Sequence, residues 1–225
     1  LPRISSRPMI ADLEEHPLRQ RLNNEFHARP PVPLLGATLV SHLVFKHSAT
    51  AAEAARENLT LLTRAQNCNA IESSDSHMML DTASFRMRWE LHTEFSSYTF
   101  FRPLKAGEPL DPDATAFAAV HPDWLAGIPG RLMVATHVEL RSTGEFSPES
   151  VLASLTPSGR TMVAARVADA AAWIFTDFKF DNGFSRFLVL DERMTQRQAG
   201  RTVQRLVEIE TYRMMSLLGL PVAKE

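Results

Sequence analysis

The chain has 225 residues, of which 44% are hydrophobic and 22% are charged, a composition that excludes disordered and fibrous proteins. The formal net charge of −2, with acidic and basic residues interspersed, excludes a strongly basic surface for nucleic acid. A single cysteine, Cys68, excludes an internal disulfide framework and favours a reducing compartment.

The first 36 residues are predicted to be a lead-in followed by one helix. Leu18, Leu22 and Phe26 recur at helical spacing, and Pro17 suits the first helical position, so the helix is predicted from Pro17 to Ala28. The prolines that follow indicate a stiff connector.

Residues 37–101 are predicted to form the first half of an α+β core. The run Thr38–Lys46 is apolar and β-branched, which indicates a buried strand, and the Ala-rich stretch Ala49–Gln66 indicates a helix. Residues 67–76 are polar and are predicted to be a loop. Strict alternation over Ser84–His92 predicts a half-buried strand with one wet face, and Phe95–Phe101 is predicted to pair with it.

Residues 102–130 contain five prolines and are predicted to be a linker with a short helix at Thr115–Ala119. The second half of the core, residues 131–190, repeats the pattern of a strand, a helix and then further strands. Its elements are predicted at Leu132–Leu140, Pro148–Leu155, Thr161–Val167, Trp173–Phe180 and Phe184–Leu190. The turn residues Asp181, Asn182 and Gly183 predict a hairpin between the last two strands.

The predicted fold is therefore α+β, with a mixed, largely antiparallel sheet, covering helices and a possible pseudo-duplication of residues 37–101 and 131–190. Residues 191–225 are predicted to form a long amphipathic helix from Thr195 to Leu218. Thr195 and Gln198 make a capping box at its start. No apolar run approaches the length of roughly 20 residues that a membrane-spanning helix requires.

Five segments together resemble a known family. They are His16–Arg19, Asn24–Pro31, His92–Phe95, Thr176–Phe178 and Ala199–Met215. They are similar to a bacterial family of uncharacterised, membrane-anchored proteins known as domain of unknown function 3422. The resemblance implies the N-terminal soluble portion of a longer protein, tethered to the cytoplasmic side of the bacterial inner membrane by a segment absent here. It implies no activity.

His92 and Glu94 lie two residues apart on a predicted strand, so both side chains leave the same face. With His27 they are candidates for a divalent metal site, and with Asp177 for acid–base catalysis. The alternative is that both are solvated partners on a wet strand face. No other cofactor is indicated.

Charged residues near the ends of predicted elements are candidates for binding. Glu25, His27 and Arg29 end the first helix, where a cation is favourable for dipole reasons alone. Asp177 and Arg186 are predicted to face each other across the hairpin as an ion pair.

Glu210 falls within the apolar stripe of the last helix, with Arg213 beside it. A buried carboxylate requires partners, for which Arg201 and Arg205 are candidates, or it faces further helices of the full-length chain. His42 and His137 lie in apolar strands and are expected to be core histidines.

Two hypotheses follow. In the first, the chain is a non-catalytic head that senses, assembles or regulates, associates with a second copy or with the downstream part of its own full-length chain, and has a possible link to transport. In the second, it is a metal-assisted or acid–base hydrolase, which requires His27, His92, Glu94 and Asp177 to converge. Phosphate-binding, nucleophile-elbow and zinc-protease motifs are absent from the sequence.

Overall fold

The computed structural model describes residues 17, 19–20, 30–48, 51–68, 70–92, 95–111, 113–155, 161–169 and 171–219. The chain divides into two compact units, Leu1–Val32 and Pro33–Glu225. All elements named below belong to the second unit. The predicted helix Pro17–Ala28 falls almost entirely outside the described residues.

The described part of the second unit contains ten strands and four helices. The strands are β1 (Thr38–Lys46), β2 (Ala70–Ser73), β3 (His77–Asp81), β4 (Arg86–Leu91), β5 (Phe95–Pro103), β6 (Arg131–Ser142), β7 (Val163–Val167), β8 (Ala172–Thr176), β9 (Phe180–Asp181) and β10 (Phe184–Asp191). The helices are α1 (Ala51–Ala65), α2 (Pro122–Ala126), α3 (Pro148–Leu155) and α4 (Gln196–Gly219).

All ten strands join one open sheet. Its order is β2-β3-β4-β5-β1-β6-β10-β8-β7, and β9 pairs with β10. Every pair is antiparallel except β6 with β10, which is parallel. This confirms the predicted α+β class with a mixed, largely antiparallel sheet.

The two predicted halves meet at the antiparallel pair β1–β6 in the middle of this sheet. In each half a central strand is followed by a helix, and then by consecutive antiparallel strands that return to that central strand. In the first half this series has four strands, β2 to β5, and in the second it has three, β7, β8 and β10. The short strand β9 lies outside the series and pairs with β10. Because neighbours in such a series alternate in direction, β5 ends antiparallel to β1, whereas β10 ends parallel to β6.

The sheet is covered on both faces. We call the face that carries Leu39 and Leu43 of β1 the front face, and the face that carries Val40 and His42 the back face. Helices α1 and α3 and the segment 104–130 pack on the front face. Helix α4 packs on the back face through an apolar stripe that includes Ala199, Val203 and Val207.

The segment 102–130 is part of the core, where the sequence predicted a linker. Ala116, Val120, Trp124 and Ile128 are buried in the front-face cluster. The indole N–H of Trp124 donates a 2.7 Å hydrogen bond to the carbonyl of Asn58 in α1. The short helix of this segment is α2, whereas the predicted helix at 115–119 consists of turns.

Two further predictions are wrong in detail. Residues 70–73, predicted within a loop, form the edge strand β2. The face of β4 predicted to be wet is buried at Arg88 and Glu90, which form an ion pair of 3.5 Å between Nε and Oε2. Alternation reports which side chains share a face, but it does not tell whether the polar face is covered.

The turn and cap predictions are confirmed. Asn182 and Gly183 both have positive φ, 49° and 83°, which a two-residue hairpin turn of this type requires. At the start of α4, the backbone N–H of Thr195 donates to the side chain of Gln198 at 2.9 Å. The N–H of Gln198 donates to the Thr195 hydroxyl at 3.3 Å.

Candidate functional site

A cavity of about 360 Å³ opens on the front face, where the parallel strands β6 and β10 meet β8, β9, α3 and the segment that follows β5. Its apolar wall comes from Leu39, Ala114, Leu155, Met162, Phe175 and Leu188. Its polar groups are Asp111, His137, Glu139, Asp177, Asp181 and Arg186, with Ser154. The volume lies within the range of sites for small molecules.

His137 of β6 lines this cavity and is 3% exposed. Its Nδ1 lies 2.8 Å from the hydroxyl of Ser41, and that hydroxyl oxygen accepts the N–H of Ala116 at 2.8 Å. Among the described contacts of the Ser41 hydroxyl, Nδ1 is the one acceptor for its hydrogen, so we assign that hydrogen to Nδ1 and the ring proton to Nε2. Nε2 is buried and has no hydrogen-bond partner.

The His137 ring is held neutral and flat against an aromatic neighbour. Burial, with a smaller contribution from the Arg186 guanidinium, lowers the pKa of His137 to about 3. The ring stacks on Phe184 with centroids 4.0 Å apart. The cavity therefore receives an uncharged N–H donor whose orientation is fixed on two sides.

Arg186 of β10 lies directly opposite His137 in the parallel register. Its Nη2 is 3.9 Å from Asp113 and its Nε is 4.0 Å from Asp181, which are ion-pair distances beyond hydrogen-bond range. The buried Nε has no hydrogen-bond partner. Two donors on neighbouring strands thus point to the same region of the front face.

Among the lining residues that the structure describes, four are carboxylates, Asp111, Glu139, Asp177 and Asp181, and one is a guanidinium, Arg186. Burial raises the pKa of Glu139, and the hydrogen bond and charge of Arg141 oppose that shift.

One wall of the cavity is anchored by Arg141, which is fully buried. Its Nε donates to Glu139 at 2.7 Å, and its two Nη atoms donate to the carbonyls of Glu108 and Pro109 at 2.6 and 2.9 Å. These bonds hold the segment before Asp111 against β6. Arg141 is therefore a structural support of the site.

A second polar cluster lies on the back face, beneath α4. The Thr211 hydroxyl donates to the carbonyl of Val207 at 2.8 Å, so it accepts the Nε2 proton of His42 at 3.3 Å. The Thr99 hydroxyl donates to His42 Nδ1 at 2.9 Å. Burial lowers the pKa of His42 to about 3. His42 is thus a core histidine with both nitrogens bonded.

In the same cluster the buried carboxylate of Glu210 accepts hydrogen bonds from Ser185 of β10 at 2.8 Å and from Arg213 at 2.7 Å. Glu210 therefore faces the sheet, and not further helices of a longer chain. Arg201 and Arg205, the candidate partners named from the sequence, are exposed. The reason is geometric, since Arg213 lies one turn from Glu210 and bonds it directly.

The candidate residues from the sequence separate into distinct places. Asp177 and Arg186 meet at the cavity, although the contacts of Arg186 described above are with Asp113 and Asp181. His92, at the end of β4, stacks on Phe95 with ring centroids 4.1 Å apart. Glu25, His27, Arg29 and Glu94 lie outside the described residues.

His92 and Asp177 do not converge. Strands β4 and β8 are five strand spacings apart in the sheet, which corresponds to about 24 Å. By alternation His92 belongs to the back face, whereas Asp177 lines the front-face cavity. In the part of the chain that the structure describes, no group of three His, Cys, Asp or Glu side chains is arranged to hold a metal ion.

Sequence reasoning missed His137, Glu139, Asp111 and Asp181 as site residues. His137 and Glu139 sit in a strand whose pattern reads as core, and their role depends on a cavity built by distant segments. The one usable signal was the turn at Asp181–Gly183, since loop ends that follow strands commonly carry binding residues.

The comparisons with known proteins give one match. The family described as Protein of unknown function (DUF3422) matches residues 14–225. No curated protein and no solved structure matches the chain. Over the described residues, α4 and the shorter helices all lack the length or apolar character that crossing a bilayer demands.

Proposed function

Because the chain belongs to the DUF3422 family, whose description assigns no activity, we propose from the cavity itself that it is a sensing domain for a small molecule. The ligand binds on the front face between β6, β10 and α3. Ligand binding is detected on the back face, where α4 packs against β6 and β10.

The observation that supports this proposal is the buried Nε2 of His137, which has no hydrogen-bond partner in a cavity large enough for a ligand. Buried polar side chains in folded proteins are nearly always hydrogen-bonded, because an unpaired one costs about 1–3 kcal/mol. A ligand acceptor at this position removes that cost. Arg186 adds a second buried donor beside it.

A sensing role fits this arrangement better than hydrolysis. The hydrolase hypothesis needs His92 and Asp177 at one point, and they belong to opposite faces of the sheet. The cavity groups that remain, an uncharged His137 and scattered carboxylates, are suited to fixing the orientation of a bound molecule.

The wider setting of the domain is proposed from the family resemblance alone. We propose a tether to the cytoplasmic side of a bacterial inner membrane, through a segment outside this chain. Association with a second copy, or with the downstream part of the full-length protein, stays a prediction. Ile209, Tyr212 and Leu217 on the outer side of α4 are exposed.

The test is a thermal-shift screen of a metabolite library on the whole chain and on two variants. Ala114→Phe places a ring in the cavity, and Ala118→Phe makes the same change at an exposed position of the same segment. We expect compounds that raise the melting temperature of the wild type and of Ala118→Phe, but not of Ala114→Phe. A ligand at 100 times its Kd stabilises by about 2.7 kcal/mol.

Two results would overturn the proposal. One is a complete library without a single stabilising compound. The other is stabilisation of Ala114→Phe equal to that of the wild type, which would place binding elsewhere.

A further inference from the structure

The cavity offers a ligand two buried N–H groups that lie side by side. They are His137 Nε2–H and Arg186 Nε–H, on directly opposed residues of the parallel strands β6 and β10. Both side chains leave the front face, and neighbouring strands are about 4.8 Å apart. The two nitrogens are also the same number of covalent bonds from their Cα atoms. One acceptor group between the two side chains is therefore within reach of both.

These two donors require an acceptor, and they do not require an anion. His137 is uncharged, because burial lowers its pKa to about 3. The guanidinium of Arg186 already has two carboxylates at ion-pair distance, Asp113 at 3.9 Å and Asp181 at 4.0 Å. Those contacts offset its charge but leave its Nε without a hydrogen bond. Each donor thus lacks an oxygen lone pair, and neither lacks a counter-charge.

The cost of desolvation favours a neutral acceptor over a carboxylate or a phosphate. A charged group loses far more free energy on leaving water than a carbonyl does, and it needs a partner of opposite charge to recover that loss. Among the described lining residues the cation is Arg186, for which an anionic ligand would compete with Asp113 and Asp181. A carbonyl oxygen has two lone pairs, so it can accept one N–H from each donor.

The apolar wall specifies the remainder of the ligand. Leu155, Met162, Phe175 and Leu188 line the same cavity of about 360 Å³ as the two donors. Polar groups placed against these side chains would lose their hydrogen bonds to water without replacement. A hydrocarbon chain gains affinity there, by about fourfold for each methylene group that is buried.

We propose that the ligand is a neutral carbonyl compound with a hydrocarbon chain, such as an amide, an ester or a lactone. Its carbonyl oxygen accepts the N–H groups of His137 and Arg186, and its chain packs on Leu155, Phe175 and the neighbouring apolar wall. This inference rests on the proposed sensing function and specifies the chemical class of its ligand.

The experiment is calorimetric titration of the whole chain, near neutral pH, with hexanamide, methyl hexanoate and δ-hexalactone. Hexanoate, which carries a negative charge, and hexylamine, which has no acceptor, are titrated beside them. At least one of the three carbonyl compounds is expected to bind, and hexanoate and hexylamine should bind about tenfold more weakly or not at all. Equal binding of hexanoate would rule out the neutral assignment.

The contribution of the apolar wall is measured with a series of amides of increasing chain length. From butanamide to hexanamide the affinity is expected to rise about fourfold for each added methylene group. An affinity that does not depend on chain length would contradict packing of the chain on this wall.

Variants of the two donors supply an independent readout. Arg186→Lys keeps a positive charge beside Asp113 and Asp181 but removes the Nε–H, and we expect it to weaken binding of the carbonyl compound by about fivefold or more. Arg197→Lys makes the same change at an exposed position of α4 outside the cavity and should leave the affinity unchanged.

If Arg186→Lys does not fold, His137→Phe tests the other donor. This change keeps an aromatic ring beside Phe184 and removes the Nε2–H, so the same loss of affinity is expected. Unaltered affinity in the folded variant would contradict the placement of the carbonyl group.

Failure of this inference is distinguishable from failure of the sensing function. If no carbonyl compound binds but other compounds stabilise the wild type and not Ala114→Phe, the ligand class is wrong and the sensing function stands. If no compound of any class binds in the cavity, both are overturned.

Discussion

Ser185 and Arg186 are consecutive residues of β10 whose side chains leave opposite faces of the sheet. Ser185 donates a hydrogen bond to Glu210 of α4 on the back face, and Arg186 lines the cavity on the front face. One peptide unit therefore connects the proposed ligand site with the helix that would report on it. A shift of β10 on ligand binding would directly change the hydrogen bond between Ser185 and Glu210.

Acidification is predicted to destabilise the chain through His42 and His137. Burial lowers the pKa of both to about 3, against an ordinary value of 6.5. Between pH 6.5 and 3 the unfolded chain binds one more proton at each histidine, so the free energy of unfolding rises with pH in this window. It should fall by about 1.4 kcal/mol per pH unit and per histidine as the pH is lowered.

The measurement is urea unfolding of the wild type and of His42→Gln at several pH values between 6 and 4.5. Removal of His42 should reduce the pH slope by the contribution of one proton. The comparison between the two proteins cancels the carboxylates, such as Glu139, whose raised pKa acts in the opposite direction. Parallel slopes would show that His42 is not held neutral.

Arg213 is predicted to stabilise α4 on the sheet, unlike Arg205 on the same helix. Arg213→Ala leaves the buried carboxylate of Glu210 with one hydrogen bond fewer, and we expect a loss of about 1–3 kcal/mol in the free energy of unfolding. The lower part of this range applies because the Arg213 side chain is 45% exposed. Arg205→Ala should change stability by less than about 0.5 kcal/mol. Similar losses in chemical unfolding of the two variants would contradict the assigned role.

Arg141 is predicted to be coupled energetically to Glu139. Arg141→Ala leaves Glu139 half-buried without its cation and releases two backbone carbonyls, so a loss of about 3–5 kcal/mol is expected. Adding Glu139→Gln should restore part of that loss, because it removes the uncompensated charge. A double-mutant cycle measures the coupling, and simple additivity of the two changes would argue against it.

Gly130 is predicted to tolerate no side chain. Its φ is +107°, and a Cβ there would lie 2.6 Å from the carbonyl oxygen of Lys46. Gly130→Ala should lower the free energy of unfolding by about 3 kcal/mol or more, since the backbone must move. Gly107 also has positive φ but open space around it, so Gly107→Ala should cost only about 1 kcal/mol. Thermal unfolding of both variants separates the steric clash, which arises only at Gly130, from the cost of a positive φ, which both positions share. Equal losses of stability in the two variants would exclude the steric effect.

The sequence predicted most elements of this fold because their signals are local. β1 and α3 have the predicted bounds, and the capping box and the hairpin turn form as expected. The misses arise where a distant segment decides the outcome. Residues 70–73 become β2 only because β3 offers them an edge, and Arg88 with Glu90 is buried although its strand alternates regularly.

The functional site was less accessible from the sequence, as the two strand histidines illustrate. His42 and His137 occupy similar apolar contexts, and both were expected to be core residues. Both ring nitrogens of His42 are hydrogen-bonded, one to Thr99 and the other to Thr211. His137 is hydrogen-bonded to Ser41 through Nδ1, and its Nε2 has no hydrogen-bond partner. Partners this far apart in the chain are set by sheet order, which periodicity does not encode.

Helix α4 has the geometry of a lever arm. Its 24 residues extend about 36 Å, and its first turn is fixed by the Thr195 cap and by the Leu34 N–H bonded to the Gln196 carbonyl at 3.1 Å. Rotation by about 5° about that fixed end would carry the far end through about 3 Å. An ångström-scale displacement between β10 and Glu210 would thus be amplified mechanically at Gly219, at the far end of the helix.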